Sequence, residues 1–186
     1  MYMLEDALLA VWFLLPAAYG NMAPIFAAHT PLLSRFDMPL DFGKKWHGKP
    51  LFGPHKTWRG IVSGMVLSSI VYAVERLLAL HVSIIGSFTA TIHYTQLPWL
   101  LGPLLGFGAL AGDALKSLFK RRFNIASGHS WIPFDQLDYI IGAVLISLPF
   151  IVLPLTVYGW MFVIWFGLHL LSTYVGWKMG LKSTPI

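Results

Sequence analysis

The chain has 186 residues, 56% apolar and only 11% charged, and no Cys. Soluble domains run about 45–50% apolar and about 25% charged. With a mean hydropathy of +0.67, this composition excludes a water-soluble globule, a disordered tail, a disulfide-stapled secreted domain and a Cys-based zinc site. The formal charge of +5 sits in clusters beside apolar runs, which points to a bilayer and not to nucleic acid. The length suits a single membrane domain over residues 1–186.

A bilayer core about 30 Å thick takes about 20 apolar helical residues. No charge occurs from Ala7 to Ser34, and residues 7–28 supply a first span. Residues 61–81 give a second, interrupted near its end by Glu75 and Arg76. The charge-free run from Leu77 to Gly112 is too long for one helix. Its first half is polar and β-branched, so it reads as an external loop before a third span at 98–118. Residues 139–177 would be about 58 Å long as one helix. Pro154 and Gly159 divide that run into spans at 136–155 and 158–178. The expected fold is an all-α integral membrane protein with five transmembrane helices.

The basic residues fix the orientation. Arg35, Lys44, Lys45, Lys49, Lys56 and Arg59 form one group, Lys116, Lys120, Arg121 and Arg122 a second, and Lys178 and Lys182 a third. Five spans put all three groups on one face, which the positive-inside rule makes cytoplasmic. The N-terminus, with Glu5 and Asp6, is then outside and the C-terminus cytoplasmic. Loops 29–60 and 119–135 face the cytoplasm and form a polar site there. The first apolar run lacks a basic leader and reads as a retained span, not a signal peptide. Most Trp residues fall near span ends, as an interfacial belt does. Glycines four apart (60/64, 102/106, 108/112, 176/180) suit close helix packing, within the chain or in a homodimer equally.

Charges at membrane depth are expensive and usually face a cavity. Asp113, Lys116, Ser117, Lys120 and Arg121 fall at i, i+3, i+4, i+7 and i+8, one face of a helix. Snorkelling at a helix end accounts for Lys120, Arg121 and Arg122, but not for an acid two turns deeper. Asp135 and Asp138 then open the fourth span on one face. One of them would satisfy a helix cap; two beside Asp113 make a hard-oxygen cluster suited to Mg²⁺. Acids close to several cations suit a metal-bound polyphosphate. The basic, Gly-containing stretches Asp41-Phe-Gly43-Lys44-Lys45 and Gly53-Pro-His55-Lys56-Thr57-Trp58-Arg59-Gly60 suit an anion or anionic head groups equally. Asn21 and Pro24 break the apolar run of the first span, and Asn21 taken alone suits an interhelical hydrogen bond. No zinc-hydrolase His pair and no Gly-x-Ser-x-Gly elbow occurs, and the Ser-Gly-His at 127–129 reads as a turn.

The run Ser117-Leu-Phe-Lys120-Arg121 followed by Asp135-Gln-Leu-Asp138 resembles the signature of the membrane CTP:phosphatidate cytidylyltransferases, with Gln136 where that family carries Arg. The smaller archaeal branch, the CDP-archaeol synthases, is similar over nearly the whole chain. That resemblance runs through Ala18-Tyr-Gly-Asn21-Met-Ala-Pro24, Pro39-Leu-Asp41-Phe-Gly43, Lys56-Thr57-Trp58-Arg59-Gly60 and Gly112-Asp113-Ala-Leu-Lys116, all in order. It implies a CTP-dependent, Mg²⁺-assisted transfer to an isoprenoid diether glycerol phosphate, giving a CDP-lipid and pyrophosphate. It implies Asp113, Lys116, Lys120 and Asp135 as catalytic residues and Asp113, Asp135 and Asp138 as metal ligands. Asn21, Asp41, Lys44, Lys56, Thr57, Arg59, Ser117 and Arg121 would hold the nucleotide. A lipid groove between the third and fourth spans, near Asn21, is the expected meeting point. Another lipid-phosphate enzyme (an acyltransferase or lipid kinase) and a small transporter with Asp113 on an ion path remain as alternatives.

Overall fold

The computed structural model describes residues 2–126 and 129–180. Ser127 and Gly128 of the 127–129 turn, and Lys182 of the C-terminal basic pair, lie outside the described residues. Among the described residues there are six α-helices: α1 Tyr2–His29, α2 Trp58–His81, α3 Ser83–Thr89, α4 Leu101–Arg122, α5 Phe134–Ser147 and α6 Leu155–Lys178.

By length and composition, three helices among the described residues could cross a membrane, α1 (from Met3), α2 and α6. Helix α4 is long enough, but its C-terminal half carries the charges from Asp113 to Arg122. Helix α5 has 14 residues, about 21 Å, and the chain then runs non-helically to Pro154. A continuous helix over 136–155 is therefore not formed. Helix α1 is unbroken through Pro16 and Pro24, so Pro24 does not end it. The outward faces carry Val62, Val66 and Ile70 on α2, Leu115 and Phe119 on α4, and Val163 and Leu171 on α6. An apolar exterior of this extent suits lipid, not water.

Helices α1, α2 and α4 pack on one another, α5 lies along α4, and α6 closes against α1 and α5. The first three meet where they carry no side chain. A Cβ on Gly20 would stand 2.9 Å from Gly106 Cα and 3.1 Å from Gly64 O. Across the other face of α4, Gly108 meets Gly142 O, and Gly112 has room for no Cβ beside Asp138 O. These contacts let helix backbones touch, and the second brings the first turn of α5 against the charged half of α4. Large side chains fill the opposite half, with Phe13, Leu14, Tyr72, Leu101, Leu105 and Ile140 fully buried.

Residues 82–97, expected as a loop, fold into α3 and two 3-10 turns. Phe88, Tyr94 and Leu97 from this segment enter the core. The Tyr94 hydroxyl donates to buried Glu75 at 2.5 Å, while Arg76 donates to the carbonyls of Leu97 and Thr95 and stacks 4.2 Å from the Trp99 ring. The two charges near the end of α2 thus pin the segment that follows it.

Residues 30–57 form a second ordered connection. A two-stranded antiparallel hairpin, β1 Lys45–Trp46 with β2 Lys49–Pro50, turns through His47 and Gly48, both at positive φ. Arg122, at the end of α4, donates to Trp46 O at 2.6 Å and Pro50 O at 2.9 Å, with its guanidinium 4.9 Å from the Trp46 ring. Pro39 bridges Thr57, and the Thr57 hydroxyl caps α2 by accepting from Gly60 N–H at 3.2 Å.

Candidate functional site

The helical period places Asp113, Lys116 and Lys120 on one face of α4, and the Gly112 contact sets Asp135 and Asp138 of α5 opposite them. Lys116 Nζ lies 3.0 Å from Asp113, 2.8 Å from Asp135 and 2.8 Å from Asp138. Lys120 Nζ lies 3.0 Å from Asp135 Oδ2 and donates to His129 O at 2.5 Å. From the N-terminus of α2, Lys56 pairs with the other oxygen of Asp113. The result is an alternating chain, Lys56–Asp113–Lys116–Asp135–Lys120, with Asp138 branching from Lys116. Three acids match three cations. Burial makes each partner necessary, because a charge left unpaired at this depth is costly.

Three hollows of different chemistry border this chain. A polar cavity of about 510 Å³ between α1, α2 and the 30–57 connection is walled by Asn21, Asp37, His55, Lys56, Arg59 and Asp113, among others. A smaller one of about 170 Å³ is walled by Lys56, Lys116, Lys120, Arg121, His55 and Ser117, with no carboxylate in its lining. An apolar groove of about 720 Å³ runs between α4 and α5, past Phe107, Leu115, Phe119 and Leu145, to Lys116 and Asp138. Lys56 is common to the first two hollows and Lys116 to the last two.

The sequence-derived residues divide accordingly. Asp113, Lys116, Lys120, Asp135, Asp138 and Lys56 come together. Asn21, Thr57 and Arg59 wall the polar cavity, and Arg59 also clips the chain by donating to Leu33 O at 3.2 Å and Ser34 O at 3.0 Å. Ser117 and Arg121 wall the basic cavity; their polar atoms bond Asp113 O at 2.9 Å and Ile125 O at 2.9 Å. Asp41 and Lys44 line none of these hollows. Asp41 instead accepts the N–H groups of Gly43 and Phe52, both at 3.0 Å, and Gly53 at 3.4 Å. Burial alone would raise its pKa, but those N–H groups outweigh burial and hold the carboxyl below the usual range. Lys44 is exposed at the hairpin base. Asn21 does not border the α4–α5 groove; it lines the polar cavity together with Asp113. His55 lies within the basic 53–60 stretch but is overshadowed there by more conspicuous cations, and Asp37 carries no signal in the sequence because it is a lone loop acid.

Among the described residues, no three His, Asp or Glu side chains are grouped so as to hold a metal by themselves. The three aspartates converge on the Lys116 ammonium and not on one another. A transporter reading needs a polar path beyond Asp113, but Tyr72, Leu101 and Leu105 fill the interior on that side.

A membrane-associated helical bundle with a buried lysine–aspartate chain set between a basic cavity and an apolar groove is the frame of an enzyme that handles lipid phosphates. Comparison with known proteins agrees. The family model for CarS-like CDP-archaeol synthase matches residues 2–186. The chain is 32% identical over 183 residues to the CDP-archaeol synthase of Thermococcus onnurineus, covering 98% of both chains. It is 34% identical over 188 residues to that of Methanopyrus kandleri, covering 94% of this chain and 91% of the relative. A solved structure of an intramembrane enzyme for archaeal membrane lipids biosynthesis superposes with a TM-score of 0.71 at 26% identity, over 89% of this chain and 92% of that one. The chain belongs to the CDP-archaeol synthase family.

Proposed function

We propose that the chain transfers the cytidylyl group of CTP to the phosphate of an isoprenoid diether glycerol lipid. The observation that carries this reading is one neutral ion chain bordered by a polar, a basic and an apolar hollow. These match, in order, a nucleoside, a leaving pyrophosphate and lipid chains. An oxygen of the lipid phosphate attacks the α-phosphorus, the bond from that phosphorus to the β-phosphate oxygen breaks, and pyrophosphate leaves with the electron pair. The lipid phosphomonoester is largely dianionic near neutral pH, its second pKa being about 6, so no general base is required. The obstacle is repulsion between two polyanions. Lys116 borders both the groove and the basic cavity and would neutralise attacking and departing groups alike. Lys56, Lys120 and Arg121 would hold the triphosphate.

The carboxylates are the hard oxygens that Mg²⁺ prefers, although in this structure they converge on the Lys116 ammonium and are not grouped to hold an ion by themselves. Asp113, Asp135 and Asp138 would hold the ion, which would add charge neutralisation at the phosphates. All five long segments would cross the bilayer, α4 and α5 as a pair whose charged ends reach the cytoplasmic face, with the N-terminus outside.

The test is pyrophosphate release by purified protein with Mg²⁺, offering CTP, ATP, GTP or UTP against diether glycerol phosphate or diacyl phosphatidic acid. The expected result is release with CTP alone, dependent on lipid and on Mg²⁺ and favouring the diether. Absence of CTP binding by folded protein overturns the reading.

A further inference from the structure

A second apolar groove, of about 540 Å³, lies along the outer side of α2. One face of the helix lines it, since Arg59, Val62, Val66 and Ile70 fall at i, i+3, i+7 and i+11. Leu33 and Phe36, from the turn of residues 33–36, line it as well. Trp58, half exposed, stands with Arg59 at its N-terminal end. None of Lys56, Asp113, Lys116 and Lys120 belongs to its wall, so the proposed reaction gives it no task. Arg59 alone is shared with the polar cavity.

The length and the charges of the groove describe its occupant. Arg59 to Ile70 spans about 16 Å along a helix rising about 1.5 Å per residue, close to half of a hydrocarbon core about 30 Å thick. Helix α2 is long and apolar enough to cross a membrane. The groove then runs from the interface, where Trp58 suits head-group depth, to the midplane. That is the reach of one lipid chain and not of a spanning helix. The cations lie at the interfacial end. Arg59 spends Nη1 on Leu33 O and Ser34 O, at 3.2 and 3.0 Å, and its Nε and Nη2 have no acceptor among the described residues. Arg35, exposed on the same turn as Leu33, makes no side-chain hydrogen bond or ion pair among the described residues. No acid offsets the two, because Asp37 lines the polar cavity and not this groove.

We infer that this groove holds an anionic phospholipid of the surrounding leaflet, with its phosphodiester against Arg35 and Arg59 and one chain along Val62, Val66 and Ile70. Two arginines without acid partners complement a phosphate, and the N-terminus of α2 favours negative charge at the same end. This lipid is distinct from the substrate, whose phosphate has to reach Lys116 along the groove between α4 and α5. The inference requires only that α2 crosses the bilayer, and it holds whether or not the chain uses CTP. A phosphate bridging Arg35 and Arg59 ties the turn of residues 33–36 to the start of α2. Through that turn it steadies the connection that walls the polar cavity, so the lipid is a stabilising ligand of the fold.

The experiment is native mass spectrometry of the detergent-purified protein, paired with thermal unfolding, after addition of isoprenoid diether phosphatidylglycerol or the phosphatidylcholine with the same chains. Wild type, Arg35→Gln and Val66→Trp, which fills the groove, are compared with Val163→Trp on the exposed face of α6. Wild type should retain one phosphatidylglycerol about 5-fold or more tightly than phosphatidylcholine, and only the anionic lipid should raise Tm. Arg35→Gln should weaken retention by about 5-fold, and Val66→Trp by about 10-fold as the chain loses its contact. Both should lose the rise in Tm, while Val163→Trp should match wild type. Equal retention by all four proteins, or no preference for the anionic lipid, overturns the inference. Diether glycerol phosphate, added with phosphatidylglycerol, separates this groove from the substrate site. A complex carrying one of each supports two sites, and exchange of one for the other overturns the inference. A wild-type dimer that Val66→Trp dissociates also overturns it, by giving the groove to a second copy of the chain.

Discussion

Lys116 holds the position on which three carboxylates converge, and its removal separates two roles. A Lys116→Met change leaves Asp113, Asp135 and Asp138 facing one another without their shared cation. Breaking a buried network of this kind costs about 3–5 kcal/mol. Turnover should fall by about 100-fold or more, because charge neutralisation at the reacting phosphates is lost. Added Mg²⁺ should raise Tm more in the variant than in wild type, since the aspartates then lack an internal counter-ion; an equal rise in both would remove these aspartates as the metal site. Asp41 has a different task, holding the turn that places Gly53 beside Arg121. Its folded pKa lies below its unfolded value, so its contribution is present at neutral pH and above. That contribution disappears as pH falls through the folded pKa. The protection factor of the Phe52 amide, its intrinsic exchange rate over the observed rate at the same pH, should therefore fall on acidification in wild type but be low at every pH in Asp41→Ala. The lost hydrogen bonds would cost about 1–3 kcal/mol.

At the level of elements, the site depends on how closely α5 approaches α4. Gly112→Ala places a Cβ against Asp138 O, which is backbone and cannot swing aside. The shift required would pull Asp135 and Asp138 from Lys116, and activity should drop by about 100-fold, as misplacement by an ångström does. Gly167→Ala on α6, where an added Cβ meets nothing within 4 Å, should keep wild-type activity. The α4 stripe and the paired aspartates were legible because helical periodicity carries side chains to one face regardless of context, and because charge at membrane depth is conspicuous. Gly108 and Gly112 were legible as packing residues, but their partner Gly142 has no near neighbour at four-residue spacing. What could not be read depends on tertiary contacts. Residues 82–97 look like a loop because their helices are a turn or two long and held only by Phe88, Tyr94 and Leu97 in the core. Asp41 looks like a ligand because its role lies in backbone N–H groups of residues 43, 52 and 53, invisible until the hairpin closes. Asn21 lines a different hollow from the one its sequence position suggests, because sequence gives the face of a helix but not its neighbours.

For the whole molecule, the absence of Cys offers a clean test of orientation. His47→Cys, exposed in the hairpin turn, and Ser87→Cys, exposed on α3, should react with an impermeant maleimide from opposite sides of the membrane, the first from the cytoplasmic side. Labelling of both from one side would overturn the five-span arrangement. The apolar groove between α4 and α5 carries a further consequence. Leu115, Phe119 and Leu145 along it are exposed on the outer face of the bundle, so a lipid would enter sideways from the surrounding leaflet and never pass through water. The concentration that the enzyme senses is then a two-dimensional one. Adding inert detergent or carrier lipid at fixed total substrate should slow turnover in proportion to the falling mole fraction. Diluting the whole suspension with buffer, at fixed composition and saturating CTP, should leave the rate per enzyme unchanged.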